Sequence, residues 1–345
     1  MSVLFGKQMT RRELMRRIGD ISQVARITDY RYQSGRAEGM RGYEIVNGSG
    51  LEFTIVPSRC MDITWASYKG IPLSFISKAG ISAPEFFEKE GLGFLRNFTC
   101  GLITTCGLTY MGAPCNDQGE ELGLHGRISN IPAQNCSAWA EWIGDDLVYM
   151  VKGQMRESSM FGDNMLLNRE ITTKLGSAEI HIRDTVINEG FTETPLMLLY
   201  HCNFGYPVID ENTELFISSS TVVPRDRRAE EGIGQWNRFT EPQQGFTEQL
   251  YYFDPVPDEE GFVQVIIENP ALLAKGIRIR IRYPKQCLPY CSEWKQMGEG
   301  DYVMGIEPGT WLPEGRAKAR SKGELECLKP GESYTTELSF IIEEI

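Results

Sequence analysis

The chain has 345 residues, with 35 Lys and Arg against 47 Asp and Glu, for a formal net charge of −12 at pH 7. An acidic chain with both signs mixed along it argues against nucleic acid, whose phosphates attract a basic face. No segment approaches the ~20 apolar residues of a membrane helix, and the basic N-terminus has no apolar stretch after it to make a signal peptide, so a cytoplasmic protein without a membrane partner is expected.

The length suits one large β domain over residues 1–345, with 1–40 as a lead-in segment packed on it. Nine cysteines occur in no dense framework, and Cys100/Cys106 and Cys287/Cys291 are the closest spacings. With no CxxC, they read as free thiols in a reducing compartment. Thr10-Arg11-Arg12-Glu13 has a hydroxyl at an N-cap and a carboxylate three residues on, a capping box. Leu14, Ile18 and Ile21 follow at helical spacing, which predicts a short helix near 10–19 on the outside of the body.

From Tyr43 the texture becomes β. Residues 43–46, 51–56 and 63–68 are short β-prone runs, and Asn47-Gly48-Ser49-Gly50 marks a turn. Arg59 and Asp62, at the start of the third run, read either as a solvated turn pair or as a clamp for ligand hydroxyls. Residues 94–108 look extended and broken by glycine, and 114–121 form a polar loop that delivers His125. Strands are predicted over 137–143, 147–156, 165–174, 178–188, 195–204, 249–253, 262–268, 276–283, 302–306 and 335–342. Within 178–188 alternation places Ile180, Ile182 and Asp184 on one face and His181 on the other, so His181 reads as structural. Arg278, Arg280 and Arg282 read as a solvated stripe. Residues 222–248 look like a long excursion over the surface, of the kind that often binds ligands, and Arg225, Arg227 and Arg228 within it read most simply as exposed basic residues. Many short strands and almost no helix predict an all-β fold, a large antiparallel sandwich with a short N-terminal helix.

Histidine is scarce, with three in the chain. His125 lies in Gly123-Leu124-His125-Gly126-Arg127, His201 in Tyr200-His201-Cys202-Asn203-Phe204-Gly205, and Glu307 in Gly305-Ile306-Glu307-Pro308-Gly309. An imidazole titrates near neutrality and a carboxylate accepts a proton, so the three can act as acid and base across a sugar ring. No cofactor is expected, since Walker and dinucleotide fingerprints are absent. The same residues also suit a two-His-one-carboxylate metal site, although no H-x-H spacing supports it. Abstraction of a C–H proton in a sugar epimerase, or sugar binding without catalysis, remain as alternatives. Cys202 neighbours His201 but points to the opposite face of a strand, which separates the two.

These motifs, with Ser58-Arg59-Cys60-Met61-Asp62-Ile63 and Gly101-Leu102-Ile103-Thr104-Thr105-Cys106-Gly107-Leu108, resemble the aldose 1-epimerase (galactose mutarotase-like) superfamily and, more closely, its DUF4432 branch. The resemblance spans almost the whole chain. It implies a β-supersandwich with the sugar on its concave face, His201 as general acid, Glu307 as general base and His125 orienting the ring. Arg59, Asp62, Arg127, Asn203 and Trp294 are implied as holders of hydroxyls. The partner implied is a small sugar or sugar derivative, and a homodimer is open through the N-terminal helix or a sheet edge. The chain departs from the family pattern where Tyr200 precedes His201 and where Asn203-Phe204-Gly205 follows it.

Overall fold

The computed structural model describes residues 2–345, and the side chains of 3–345, so Met1 of the expected lead-in segment lies outside the described residues. Three antiparallel sheets carry the fold. In the largest, eight strands run in the order Gln134–Ile143, Asp146–Ser158, Asn164–Lys174, Glu179–Asn188, Ser333–Glu344, Ile277–Pro284, Phe262–Asn269 and Glu214–Ile217. The second orders six strands as Ile103–Leu108, Met197–Gly205, Asp301–Gly309, Tyr290–Gly298, Gln249–Pro255 and Ser219–Pro224. A five-stranded sheet, Arg26–Arg31, Arg41–Val46, Leu51–Val56, Asp62–Tyr68 and Ile71–Pro72, completes the set.

Period-two alternation decides which side chains enter the core. In Glu179–Asn188, Ile180, Ile182 and Val186 face inward, while His181 sits on the outer face with Nδ1 3.0 Å from Ser339 Oγ. The arginine stripe of Ile277–Pro284 also faces outward, where Arg278, Arg280 and Arg282 pair with Glu268, Glu343 and Glu260. The six-stranded sheet is different, because every residue of Met197–Gly205 is buried. Leu198, Tyr200, Cys202 and Phe204 enter the main core, whereas Leu199 joins Cys106, Tyr110 and Trp311 in a smaller cluster on the opposite side. His201 shares that opposite side by alternation.

Between the large sheet and its neighbours lies a buried charged network. Arg169 is fully enclosed and donates from Nε and Nη2 to the two carboxylate oxygens of Asp184, at 2.9 and 2.6 Å. It also donates to Asp62 Oδ1 (2.9 Å), to Thr105 Oγ1 (2.8 Å) and to the Cys60 carbonyl (3.1 Å). Tyr200 adds a hydroxyl bond to Asp184 at 2.7 Å. Asp62, expected at a ligand, is thus an interior ion-pair partner that accepts from Thr105 as well. Arg59 is likewise turned inward. It donates to the carbonyls of Ser82, Asn97 and Ser129, and burial pushes its pKa down to about 10. Neither reading of the sequence foresaw this role, in which the guanidinium ties three loops together through backbone groups that would otherwise be buried unpaired.

The N-terminal helix is shorter than the periodicity predicts. It spans Arg11–Met15, with Thr10 and Glu13 closing the capping box. Arg16 caps its C-terminal end before Gly19 is reached, and Asp20 caps a separate turn at Ile21–Gln23. Leu14, Ile18 and Ile21 still pack together with Leu147, Tyr149 and Leu175. Two further helices, Arg227–Gly232 and Arg316–Lys322, and the strands Arg26–Arg31 and Tyr290–Gly298 have no counterpart in the sequence expectation. Among the described residues no helix is long and apolar enough to cross a membrane. All nine cysteines are unpaired.

Candidate active site

The exposed end of the six-stranded sheet carries a cavity of about 310 Å³. His125, His201, Glu307 and Trp294 line it, with Arg225, Glu248, Leu92, Leu95, Phe98 and Leu250 among the other walls. Three of the polar groups come from adjacent strands of one sheet, with Trp294 opposite Gly305 and Ser292 opposite Glu307 in register.

His201 and Glu307 meet directly. Nε2 of the imidazole lies 3.2 Å from Oε1 of the carboxyl, and each side chain is only 2–3 % exposed. The other carboxyl oxygen, Oε2, accepts from Ser292 Oγ at 3.0 Å. Burial pushes Glu307 up to about 8, and Glu248 adds to this effect while Ser292 and Arg225 oppose it. Burial also drives His201 well below its ordinary range. His125 reinforces that shift, and Asn203 opposes it. The pair therefore prefers to be neutral at pH 7, with one proton held by Glu307.

The His201 ring is fixed by aromatic edges. Phe98, Trp294 and His125 all stand roughly perpendicular to it, with centroids 5.1, 5.4 and 5.5 Å away. Gly305 completes the socket, because a Cβ there would lie 2.8 Å from His201 Cε1. We expect Gly305→Ala to displace the imidazole and lower any activity of this site at least tenfold, at a stability cost of about 1–3 kcal/mol for the overpacking. Crystallography of the variant together with its melting temperature checks both parts.

His125 arrives on an irregular segment. Its φ is +59°, in the left-handed region that histidine visits more readily than bulkier residues. The preceding loop is held by His125 N donating to Gly112 O at 2.9 Å, and Gly126 follows because a Cβ there would lie 2.2 Å from the Gly107 carbonyl. Its ring is partly open to the cavity and packs on Phe94. Enclosure with no acidic partner pushes it down to about 4, so it is neutral at pH 7.

Other nominated residues are placed less centrally. Asn203 shares the face of His201, but its amide donates to the His201 backbone carbonyl at 2.8 Å. Arg127 lies outside the cavity, stacked 5.1 Å over Tyr110 and 3.9 Å from Glu120. Arg59 and Asp62 are in the interior, as described above. Cys106 and Cys202 are buried thiols whose pKa burial raises well above normal, which leaves them poor nucleophiles. Among the described residues no group of three or more His, Cys, Asp or Glu is arranged to hold a metal ion.

Sequence reasoning passed over Ser292 and Glu248 and read Arg225 as an exposed basic residue. Glu248 accepts from Trp294 Nε1 at 2.8 Å and pairs with Arg225 at 3.1 Å, so these three form one rigid wall. Arg227 and Arg228 stay outside, paired with Glu231. Behind the wall, on the core face of the same strand, Lys295 Nζ holds the carbonyls of Gln235 and Trp236 at 2.8 and 3.3 Å and that of Arg238. Beside it Glu293 is fully buried with neither carboxyl oxygen bonded, and burial pushes it up to about 8. Alternation over 290–298 would have put Ser292 and Trp294 on one face, but charges at Glu293 and Lys295 hide the strand.

The antiparallel sheets form a β-sandwich of the galactose mutarotase-like kind. The chain belongs to the family described as domain of unknown function (DUF4432), whose profile matches residues 37–342. No curated protein matches the sequence. Among solved structures, an aldose 1-epimerase candidate from Klebsiella pneumoniae superposes with a TM-score of 0.86 at 24% identity, covering 92% of this chain and 83% of that one. A galactose mutarotase-like protein from Clostridium acetobutylicum gives a TM-score of 0.66 at 17% identity, over 94% of this chain and 100% of that one. The galactose 1-epimerase of Lactobacillus acidophilus gives 0.59 at 11% identity, over 93% and 99%. At these identities the likeness establishes the shared fold.

Proposed function

We propose that the protein is an aldose 1-epimerase, an isomerase that exchanges the α and β anomers of a free aldose by opening and reclosing its ring. The observation that carries this reading is the direct contact of His201 Nε2 with Glu307 Oε1, 3.2 Å apart in the wall of a sugar-sized cavity. The fold shared with an enzyme described as a galactose 1-epimerase supports it.

In the proposed mechanism the sugar lies across the cavity side of the touching pair, with O1 beside Glu307 and the ring oxygen beside His201. Its anomeric hydroxyl gives a proton to the Glu307 carboxylate as His201 Nε2–H protonates the ring oxygen. The C1–O5 bond breaks, and the open-chain aldehyde forms. Rotation about C1–C2 presents the other face of the carbonyl, and the new O5 hydroxyl attacks it. That hydroxyl then returns its proton to His201, and Glu307 returns its proton to O1. The pair ends as it began, so atoms and charges balance without a cofactor. His125 orients the ring, Trp294 offers an aromatic face to its C–H edge, and Arg225 and Glu248 meet hydroxyls at the mouth.

The pair must hold one proton in total, whichever member carries it in the empty site. Above about 8, Glu307 loses the proton while His201 stays neutral, and the acid is gone. Catalysed exchange should therefore fall on an alkaline limb with an apparent pKa of about 8, after subtraction of the base-catalysed background. The test is NMR saturation transfer between anomers across a panel of aldoses as a function of pH. Absence of protein-dependent exchange on every sugar, or solvent deuterium entering a C–H bond, would overturn the assignment.

A further inference from the structure

A hairpin tip and a neighbouring loop at one end of the eight-stranded sheet expose large apolar side chains that no part of the fold explains. Met160 is 84 % exposed, Phe161 97 % and Phe191 97 %. A lone exposed apolar residue needs no explanation, but three on neighbouring turns do.

The two turns are closed by hydrogen bonds and tied to each other. Ser159 N donates to Asp163 O at 3.0 Å and Gly162 N to Ser159 O at 3.2 Å, closing the first turn. Asn188 closes the second, with Nδ2 donating to Thr192 O at 2.8 Å and Oδ1 accepting from Gly190 N at 2.9 Å. Between them, Glu189 N donates to Asn164 O at 2.9 Å, and Arg156 reaches both Asn164 (2.6 Å) and Glu189 (2.7 Å). Phe161 holds φ +64°, a left-handed conformation costly for an aromatic residue, although Gly162 stands beside it. A preorganised turn that presents two phenylalanines and a methionine has the composition of an interface anchor, with little ordering entropy left to lose.

We infer that this face joins two copies of the chain, Phe161 and Phe191 of each packing against the same residues of the other. A two-fold axis makes one patch meet itself. The rim carries both signs, Arg156 paired with Glu189 in the same copy and Asp163 beside them, so two copies meet without a patch of like charge. Burying three such side chains removes about 500 Å² per copy and about 1,000 Å² in the pair, near the lower bound for a specific interface. An interface at that lower bound suits a weak, concentration-dependent dimer. The net charge of −12 disfavours an anionic lipid surface as the alternative occupant. This inference is independent of the catalytic reading.

The test is sedimentation velocity from about 1 to 100 µM, a range that brackets a micromolar equilibrium. The wild type should pass from 39.0 kDa to twice that mass as concentration rises. Phe161→Ser/Phe191→Ser should stay monomeric with an unchanged melting temperature, since both side chains are outside the core. A wild type that is monomeric throughout overturns the inference, as does a dimer that survives the double substitution or a monomer that instead co-floats with phosphatidylcholine vesicles.

Discussion

Glu307→Gln should lower catalysed anomer exchange by about 10³-fold while the sugar still binds within a few-fold of the wild-type affinity. Gln keeps the shape and the bond from Ser292, but it cannot take the anomeric proton. The variant also carries a stability signature that a purely structural residue of ordinary pKa lacks. Glu307 titrates at about 8 in the folded protein, against 4.5 for a glutamate free in water. Its folded pKa is raised, so the stability tied to the neutral carboxyl is complete below about 4.5 and is lost as pH rises through about 8. Glutamine mimics the neutral form at every pH. Relative to wild type, the variant should gain about 4 kcal/mol between pH 5 and pH 9. Urea denaturation at the two pH values, set beside saturation transfer, separates the outcomes. Normal exchange would remove Glu307 from the chemistry, and a pH-independent difference in stability would mean its carboxyl is ionised in the folded protein.

Arg169→Met should be the most damaging single change to the fold, at about 3–5 kcal/mol. The substitution is apolar and similar in length, so little cavity is created. What it leaves is two interior carboxylates, Asp62 and Asp184, without the guanidinium that now bonds both. The loss should shrink when Asp184→Asn is added, because one of the stranded charges is then gone. Lysine should rescue poorly, since one ammonium cannot reproduce the fork that reaches Asp184 twice and Asp62 and Thr105 once each. Equilibrium denaturation of the four proteins measures this. The effect should reach the cavity too, because Thr105 pairs with Tyr200, the neighbour of His201 on the strand.

The β architecture was legible because local physics carries it. Leu51–Val56 matches the sequence expectation at both ends through its run of β-branched and aromatic residues, and Glu179–Asn188 and Phe262–Asn269, whose buried positions alternate with more exposed ones, match within a residue. The pattern fails where both faces are covered. Tyr290–Gly298 buries Glu293 and Lys295 on one side and Ser292 on the other, and polar residues on a buried strand look like loop. Arg316–Lys322 was hidden for a related reason, because Arg316 is stabilised by Asp117 and Glu120 from about two hundred residues away rather than by any local pattern.

Within the site, the sequence by itself determined the candidate inventory: two of three histidines and a glutamate, with His125 beside Gly126 in a turn, His201 within a strand and Glu307 between Gly305 and Gly309. Only the tertiary structure decided which polar residues share the cavity with them. Arg59 and Asp62 have the right chemistry for a sugar, yet they are engaged by backbone carbonyls and by Arg169. Arg225 and Glu248, ordinary members of a charged loop, are brought to the wall by the pairing of Ser219–Pro224 with Gln249–Pro255. The reason is that a charged side chain satisfies whichever partner the fold sets within reach, and that partner is seldom near it in sequence.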